Sequence, residues 1–178
     1  MNPWQVYSQN GDPLAMVGGG PDDFENDPCK VMAAAHVWMW QTAPDGTKEV
    51  ALQKRAADKT TWGGYLDITT AGHVDVNESP LQAALRESVE EINYHLDPGK
   101  LIWLFACRAA TNRNEIDHVY AYEYDPAQTF AFNDGEVQSV HWYALTDFEA
   151  MAKDPAAHNL VPQGEYYFTQ LVNYIQNQ

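Results

Sequence analysis

Three glutamates within five residues form the group of side chains best suited to chemistry in this chain. Glu87, Glu90 and Glu91 lie near the end of the segment 72–94, which reads GHVDVNESPLQAALRESVEEINY. Like charges three and four residues apart destabilise a helix, and the adjacent Arg86 can offset only part of that repulsion. Mg²⁺ takes oxygen ligands and usually retains water for substrate phosphates. The cluster therefore indicates a divalent cation, with a phosphate-bearing substrate beyond it.

The segment that carries these carboxylates is predicted to be a helix that begins at Pro80 and stops at Asn93. Ser79 is a favoured N-cap, proline suits the first helical position, and Gln82 has the capping-box spacing. Asparagine tolerates the left-handed conformation that ends many helices. The expected buried stripe recurs at three- and four-residue steps and comprises Leu81, Ala84, Leu85, Val89 and Ile92. Because the glutamates fall within an arc of about 100° on the other side, all three are predicted to share one open face.

The same segment resembles the signature of the Nudix hydrolases, in which a glycine and a glutamate precede the run Arg-Glu-x-x-Glu-Glu at fixed spacing. The matching residues are Gly72, Glu78, Arg86, Glu87, Glu90 and Glu91. The departures touch helix packing and the C-terminal turn, and they are Ser88, Asn93 and Tyr94. The resemblance implies an α/β (α+β) fold, a Nudix-type α/β/α sandwich with a mixed central sheet. It also implies a single Nudix domain over residues 1–178, with its Nudix box at 72–94.

The resemblance further implies metal-assisted hydrolysis of a diphosphate linkage, in a nucleoside diphosphate derivative or a similar phosphoanhydride. The implied ligands of Mg²⁺ (or Mn²⁺) are Glu87, Glu90, Glu91 and the backbone carbonyl of Gly72 or of the residue before it. One of these glutamates, or Glu115 from a nearby loop, would take the proton of the attacking water. Arg86 is interpreted as an orienting residue, paired with Glu78 or Glu90, more than as a substrate contact.

A longer stretch, LQKRAADKTTWGGYLDITTAGHV, resembles isopentenyl diphosphate isomerases and the hydrolases related to them. The phosphate contacts that it suggests are Lys54, Arg55 and Lys59, although a solvated strand end would account for the same residues. Ala71 stands where the isomerase cysteine is expected, Arg113 replaces the partner of Glu115, and Met32 replaces a histidine. Hydrolysis is therefore favoured. The alternatives are an isomerase-like enzyme and a Nudix-fold binding module without turnover.

Outside the signature, apolar and alternating runs predict a hairpin, several strands and two further helices. The hairpin covers residues 4–17 of an N-terminal extension at 1–28, and the core occupies 30–150. The predicted strands are 31–40, 49–55, 65–70, 101–108, 119–124 and 137–143, and the helices begin at 146 and 164, the second within a C-terminal segment at 163–176. His73 suits packing, hydrogen bonding or metal binding, while Trp62 and Tyr65 suit either rim packing or stacking on a base.

Composition narrows the classes of partner and compartment. The formal net charge of −15 argues against nucleic-acid polymers and anionic membranes as partners. No run approaches the ~20 apolar residues of a membrane span, and no signal pattern opens the sequence. Cys29 and Cys107 lack metal-ligand spacing and are predicted to be reduced and buried in a cytoplasmic protein. A small-molecule diphosphate is the expected partner, and the hairpin and C-terminal helix are candidate surfaces for a homodimer.

Overall fold

The computed structural model describes residues 3–18, 24, 27, 29–110, 114–133 and 135–178. Its strands are β1 Trp4–Tyr7, β2 Pro13–Gly18, β3 Met32–Thr42, β4 Lys48–Arg55, β5 Leu66–Asp67, β6 Thr70–His73, β7 Ile102–Arg108, β8 Glu115–Glu123 and β9 Val137–Ala144. Its helices are α1 Pro80–Ile92, α2 Leu145–Lys153 and α3 Glu165–Gln176, with a short 3₁₀ helix at Pro155–His158. Arg113, which the comparison with isomerases singled out, lies outside the described residues, as does most of the extension between 19 and 28.

A seven-stranded sheet of mixed polarity forms the centre of the fold. Its main path runs β5-β4-β3-β8-β7, while β6 pairs with β3 and β9 pairs with β4. Strand β3 is parallel to β8 and antiparallel to β4 and β6. The mixed central sheet expected from the sequence is therefore confirmed.

Helices cover both faces of this sheet because β3 is apolar on both of its sides. One face packs against α1, and its buried residues include Ala33, Ala35, Val37, Met39, Ala83, Ala84 and Ile92. The other face packs against α2 and α3, and its buried residues include Trp38, Trp40, Phe148, Tyr167 and Leu171. Full burial of one large apolar side chain contributes about 1.5–3 kcal/mol, so the two cores together hold the sandwich closed. The predicted α/β/α layering is confirmed.

The sheet opens into a fork between β3 and β4. These strands pair with each other at Trp40–Thr42 and Lys48–Val50. Beyond that point β6 pairs with β3 along Ala34–Val37, while β5 pairs with β4 at Gln53 and Lys54. The segment that leads into α1 is thereby held inside the fork. The single strand predicted over 65–70 is in fact two short strands, one on each arm.

The N-terminal hairpin pairs β1 with β2 and then docks beside the fork. Gln5 donates its backbone N–H to the Val74 carbonyl at 3.0 Å, and Tyr7 donates to the Val31 carbonyl at 2.7 Å. These bonds attach the extension to the residue that follows β6 and to the residue that precedes β3. Among the described residues, no helix combines the length and the apolar composition that a bilayer span requires.

Two sequence-based expectations about burial are wrong. Leu81 and Val89 are exposed on α1, whose buried residues are Ala83, Ala84, Ser88, Glu91 and Ile92. The helix is rotated toward β6 because that strand offers hydrogen-bond donors to a carboxylate, which an apolar periodicity does not register. Both cysteines are free, as expected, but Cys29 is exposed and Cys107 is half-buried.

Candidate active site

Helix α1 begins and ends where the sequence predicts, because local hydrogen bonds define both termini. The Ser79 hydroxyl accepts from the Gln82 backbone N–H at 3.3 Å, and the Gln82 side chain accepts from the Ser79 backbone N–H at 2.8 Å. At the other end Asn93 adopts φ 50° and ψ 42°, and its N–H donates to the Val89 carbonyl. The capping box and the left-handed stop therefore set the register of the glutamates between them.

The three glutamates of α1 occupy three different environments. The side chain of Glu90 is 56% exposed, that of Glu87 is 15% exposed, and Glu91 is buried. The Oε2 atom of Glu91 accepts from the Thr70 hydroxyl at 2.8 Å and from the Ala71 backbone N–H at 3.0 Å. The prediction that all three carboxylates share one open face is therefore wrong for Glu91.

The burial of Glu91 changes its protonation. Loss of solvation is the main cause that raises the pKa of this carboxyl to about 8, and the nearby Glu87 carboxylate adds to it. Burial also raises the pKa of Glu87, although Arg86 opposes the change. Two neighbouring acids that burial keeps from ionising form a site at which a cation would be favoured.

Gly72 lies directly against Glu87. A Cβ atom built on residue 72 would lie 2.0 Å from Cδ and Oε1 of Glu87, far inside any real contact. The backbone of β6 and the α1 carboxylate can meet only because residue 72 has no side chain. The first glycine of the Nudix box thus has a steric cause in this fold.

Arg86 is the hub of the acidic cluster. Its Nε and Nη2 atoms each donate to Glu78 at 2.9 Å, and Nη1 donates to Glu90 at 3.0 Å and to Glu87. Nη2 also donates to the His73 carbonyl at 2.9 Å. The guanidinium therefore holds α1 against the loop before it, and it contacts both of the partners named from the sequence, Glu78 and Glu90.

Glu115 lies buried at the start of β8, which is separated from β6 by β3. Its Oε2 atom is 3.1 Å from Nε2 of His73. Burial opposes ionisation of this carboxyl, but the hydrogen bond and charge of His73 outweigh it and hold the pKa of Glu115 below its ordinary value. The ligand atoms of His36, Glu115 and Asp117 lie within 4.8 Å of one another, so this group could also hold a metal ion.

A cleft of about 690 Å³ brings these groups together. Its walls include Gly72, the glutamates of α1, Glu115 and the loop that links β4 to β5. Trp62 lines the rim of the cleft and meets Tyr65 edge-to-face, with 5.1 Å between ring centroids. The cleft is therefore acidic on one wall and aromatic at one edge.

Of the three basic residues suggested as phosphate contacts, two line the cleft and one does not. Arg55 and Lys59 line the cleft, where Arg55 pairs with Asp67 at 3.0 Å and Lys59 pairs with Glu136 at 2.7 Å. Lys54 does not line it. Adjacent residues of a strand point to opposite faces, so Lys54 lies on the other side of the sheet from Arg55.

Three residues that the sequence did not single out belong to the same region. They are Trp4, which stacks on His73, Asp117, which adjoins His36 and Glu115, and Tyr167, which contacts His36. From the sequence alone, His36 had no role beyond its position, four residues after Met32. No local pattern links any of them to the Nudix box, since each reaches the site through a distant element.

Comparisons with known proteins agree with this architecture. A sequence model of the NUDIX domain matches residues 32–163. Nudix hydrolase 3 of Arabidopsis thaliana is 30% identical over 145 residues, which is 75% of this chain but 18% of that protein. DR0079 of Deinococcus radiodurans has a similar fold, with a TM-score of 0.69 at 17% identity over 98% of both chains.

A second similar structure is the NUDIX domain of Shewanella oneidensis NrtR, determined as a complex with ADP ribose. Its TM-score is 0.60 at 17% identity, over 83% of this chain and 87% of that one. At 17% identity, the two structural matches show similarity of fold alone. The match to the family model covers most of the chain and includes the whole box, with its glutamates and its glycine in contact. The chain therefore belongs to the Nudix hydrolase family.

Proposed function

We propose that this protein hydrolyses a phosphoanhydride bond in a nucleoside diphosphate derivative, using Mg²⁺ or Mn²⁺. The observation that carries the proposal is the contact between the two halves of the box, where Gly72 lies against Glu87 and the buried Glu91 is bonded to β6. The proposed ligands of the cation are Glu87, Glu90, Glu91 and Gly72, as the family resemblance implies.

The donor set fits a hard divalent cation. It consists of carboxylate and backbone oxygen atoms, which are the ligands that Mg²⁺ and Mn²⁺ prefer. The raised pKa of Glu91 also supports this fit, because a nearby cation would favour the ionised carboxylate and offset the cost of burial. When bound, the ion would lower the pKa of water and neutralise charge on the phosphate oxygens.

Glu115 is the favoured general base within this proposal. It lines the cleft, it is held ionised by His73, and it is separate from the carboxylates that would be occupied as ligands. An ionised carboxylate in the wall of the cleft can accept the proton of an attacking water. Arg86, which already bonds Glu78 and Glu90, serves to orient the ligands.

Arg55 and Lys59 are the proposed phosphate contacts on the side of the cleft formed by the β4–β5 loop. Both side chains line the cleft, where their positive charges would meet the negative charge of a diphosphate. Trp62 is at hand to stack on a base, and the ADP ribose bound by the Shewanella oneidensis domain supports a nucleotide in that role. Lys54 does not line the cleft and is not among the proposed phosphate contacts.

An isomerase-like reaction is disfavoured by Ala71. Its methyl side chain directly precedes Gly72 and cannot exchange a proton with an alkene, so the position where the isomerase cysteine is expected lacks its chemistry. We further propose a cytoplasmic location, which the two free cysteines support. A homodimer and a non-catalytic binding role are two alternatives. A measurement of mass in solution tests the first, and assays of hydrolysis test the second.

The test is a panel of ADP-ribose, diadenosine tetraphosphate, CDP, UDP-glucose and isopentenyl diphosphate, each with Mg²⁺, with Mn²⁺ and with EDTA. We expect metal-dependent cleavage of at least one nucleotide, with ¹⁸O from labelled water in one phosphate product. Glu90→Gln and Glu91→Gln should each lower kcat by about 100-fold or more. Glu123→Gln, which alters an exposed glutamate at the end of β8, is the matched control.

Absence of cleavage across the panel with either ion would refute hydrolysis of this class. Unchanged turnover in both glutamine variants would refute the assignment of the metal ligands. Conversion of isopentenyl diphosphate to its isomer would favour the isomerase alternative instead.

A further inference from the structure

Two histidines flank the carboxylate of Glu115. His73, from β6, lies 3.1 Å from its Oε2 atom. His36, from β3, contributes a ring nitrogen within 4.8 Å of carboxylate oxygens on both Glu115 and Asp117. Glu115 therefore has two imidazoles near its carboxylate, and the orientation of each ring bears on the position of that carboxylate.

The ring of His73 is held by Trp4. The two rings are stacked, with 3.8 Å between their centroids and an angle of 18° between their planes. The hairpin sets this position, since Val76 donates its backbone N–H to the Pro3 carbonyl at 3.1 Å and Trp4 pairs with Asp75. Backbone bonds on both sides of Trp4 thus fix the indole over the imidazole.

The ring of His36 is held by Tyr167. Nε1 of Trp38 lies 2.8 Å from the Tyr167 hydroxyl, and Nδ1 of His36 lies 2.9 Å from the same hydroxyl. An indole can only donate, so the tyrosine oxygen accepts from Trp38, and its one proton can be donated to Nδ1 of His36. This arrangement makes Nδ1 of His36 the acceptor.

The proton of a neutral His36 consequently resides on Nε2. Burial lowers the pKa of this imidazole to about 4, so the ring is neutral near pH 7. Nε2 lies 3.7 Å from Oδ1 of Asp117, on the side of the ring that faces the carboxylates. A hydroxyl on α3 therefore decides which imidazole nitrogen presents an N–H toward Asp117 and Glu115.

Trp4 and Tyr167 share one further property: both lie outside residues 32–163, the part of the chain that matches the NUDIX model. We propose that Trp4 and Tyr167 are positioning residues for Glu115, acting through His73 and His36 respectively. The hairpin and the C-terminal helix thereby become parts of the active site. The proposal rests on the proposed function, which assigns Glu115 as the base.

The physical basis is the precision that proton transfer demands. A base must lie within hydrogen-bond reach of the proton that it abstracts, and small displacements of catalytic groups lower the rate steeply. A carboxylate near two oriented imidazoles has fewer accessible rotamers than a carboxylate near mobile ones. Loss of either support should then lower kcat and leave substrate binding largely intact.

The kinetic test compares Trp4→Leu and Tyr167→Phe with the unaltered protein, using ADP-ribose and Mg²⁺ or the panel compound that is hydrolysed fastest. We expect kcat to fall roughly ten-fold in each variant, less than the loss of about 100-fold in Glu115→Gln, with KM changed by less than about two-fold. Trp4→Phe, which keeps a stacking ring, should recover most of the rate. The matched controls are Trp103→Leu on the exposed edge strand and Tyr174→Phe on α3, and both should leave kcat unchanged.

A spectroscopic test needs no turnover. Long-range ¹H–¹⁵N spectra of the unaltered protein should show His36 protonated at Nε2, and Tyr167→Phe should change that tautomer. The ring protons of His73 should be shifted upfield by the indole of Trp4. These two measurements decide the geometry even if Trp4→Leu does not fold.

Several outcomes would overturn the inference. Unchanged kcat in Trp4→Leu and Tyr167→Phe, while Glu115→Gln is impaired, would leave the proposed function standing and remove the positioning roles. A raised KM with unchanged kcat would make Trp4 a substrate contact. A His36 ring protonated at Nδ1 would refute the role of Tyr167. His73 ring protons without an upfield shift would refute the role of Trp4. Full activity in Glu115→Gln would refute the base itself, on which the inference depends.

Discussion

The carboxylate of Glu87 occupies the space that any side chain on residue 72 would need, with 2.0 Å between its Cδ and the position of a Cβ on Gly72. Gly72→Ala should therefore push Glu87 away from β6. Because the end of the Glu87 side chain can move, we expect a loss of no more than about 1 kcal/mol of unfolding free energy, together with weaker Mn²⁺ binding. Urea unfolding and the Mn²⁺ electron paramagnetic resonance signal measure the two effects.

The control for that variant is Gly99→Ala, in an exposed turn where the nearest atom to an added Cβ is Oδ1 of Asp97 at 3.3 Å. It should change stability by less than about 0.5 kcal/mol. Equal stability and equal Mn²⁺ affinity in Gly72→Ala and the unaltered protein would show that the contact is not required.

Glu91 should make the protein less stable as the pH rises. Burial raises the pKa of this carboxyl from its ordinary value of 4.5 to about 8, so the folded chain binds a proton that the unfolded chain releases. The contribution of Glu91 to the free energy of unfolding is therefore complete below pH 4.5 and is lost progressively up to about pH 8. Urea unfolding at several pH values, with EDTA present, measures this slope.

Two variants isolate the group responsible. Glu91→Gln retains an acceptor oxygen for Thr70 but does not titrate, so its profile should be flatter between pH 4.5 and 8. Glu115 changes the stability in the opposite direction. Because its pKa is lowered in the folded chain, its contribution to the free energy of unfolding is present above pH 4.5 and is lost as the pH falls below that value. Glu115→Gln should leave the slope above pH 4.5 intact, and the same slope in Glu91→Gln and the unaltered protein would contradict the assignment.

Arg86 should not be replaceable by lysine. Its planar fork bonds both oxygens of Glu78 and also reaches Glu90 and the His73 carbonyl, whereas an ammonium group lacks that geometry. Arg86→Lys is expected to cost about 1–3 kcal/mol of unfolding free energy, measured by urea unfolding. Arg108→Lys, which alters an exposed arginine bonded to the Gln9 carbonyl, is the control and should be nearly neutral.

Lys59 and Lys54 provide a matched pair for substrate binding. Lys59 lines the cleft and Lys54 lies on the opposite face of the sheet, so Lys59→Ala should raise KM by roughly ten-fold and Lys54→Ala should not. Steady-state kinetics on the hydrolysed panel compound distinguish them. A larger effect of Lys54→Ala would restore the assignment drawn from the sequence and contradict the placement of the strand.

The sequence alone predicted the features that depend on contacts within a few residues. The span of α1, its capping box and its stop at Asn93 are set by hydrogen bonds between near neighbours, so composition and spacing suffice to find them. The mixed sheet and the two helical layers were expected from the resemblance to the Nudix family, since apolar periodicity predicts strands and helices but not how they pair or pack.

The tertiary structure decided how those elements meet. Glu91 is buried because Thr70 and Ala71 supply donors to it across the fork, and helix periodicity cannot register donors on another strand. Tyr167 reaches His36 across 131 residues of sequence. Trp4 reaches His73 through the docking of the hairpin. The sequence therefore determined which carboxylates are present and how they are spaced, while long-range packing determined which of them are buried, ionised or held in place.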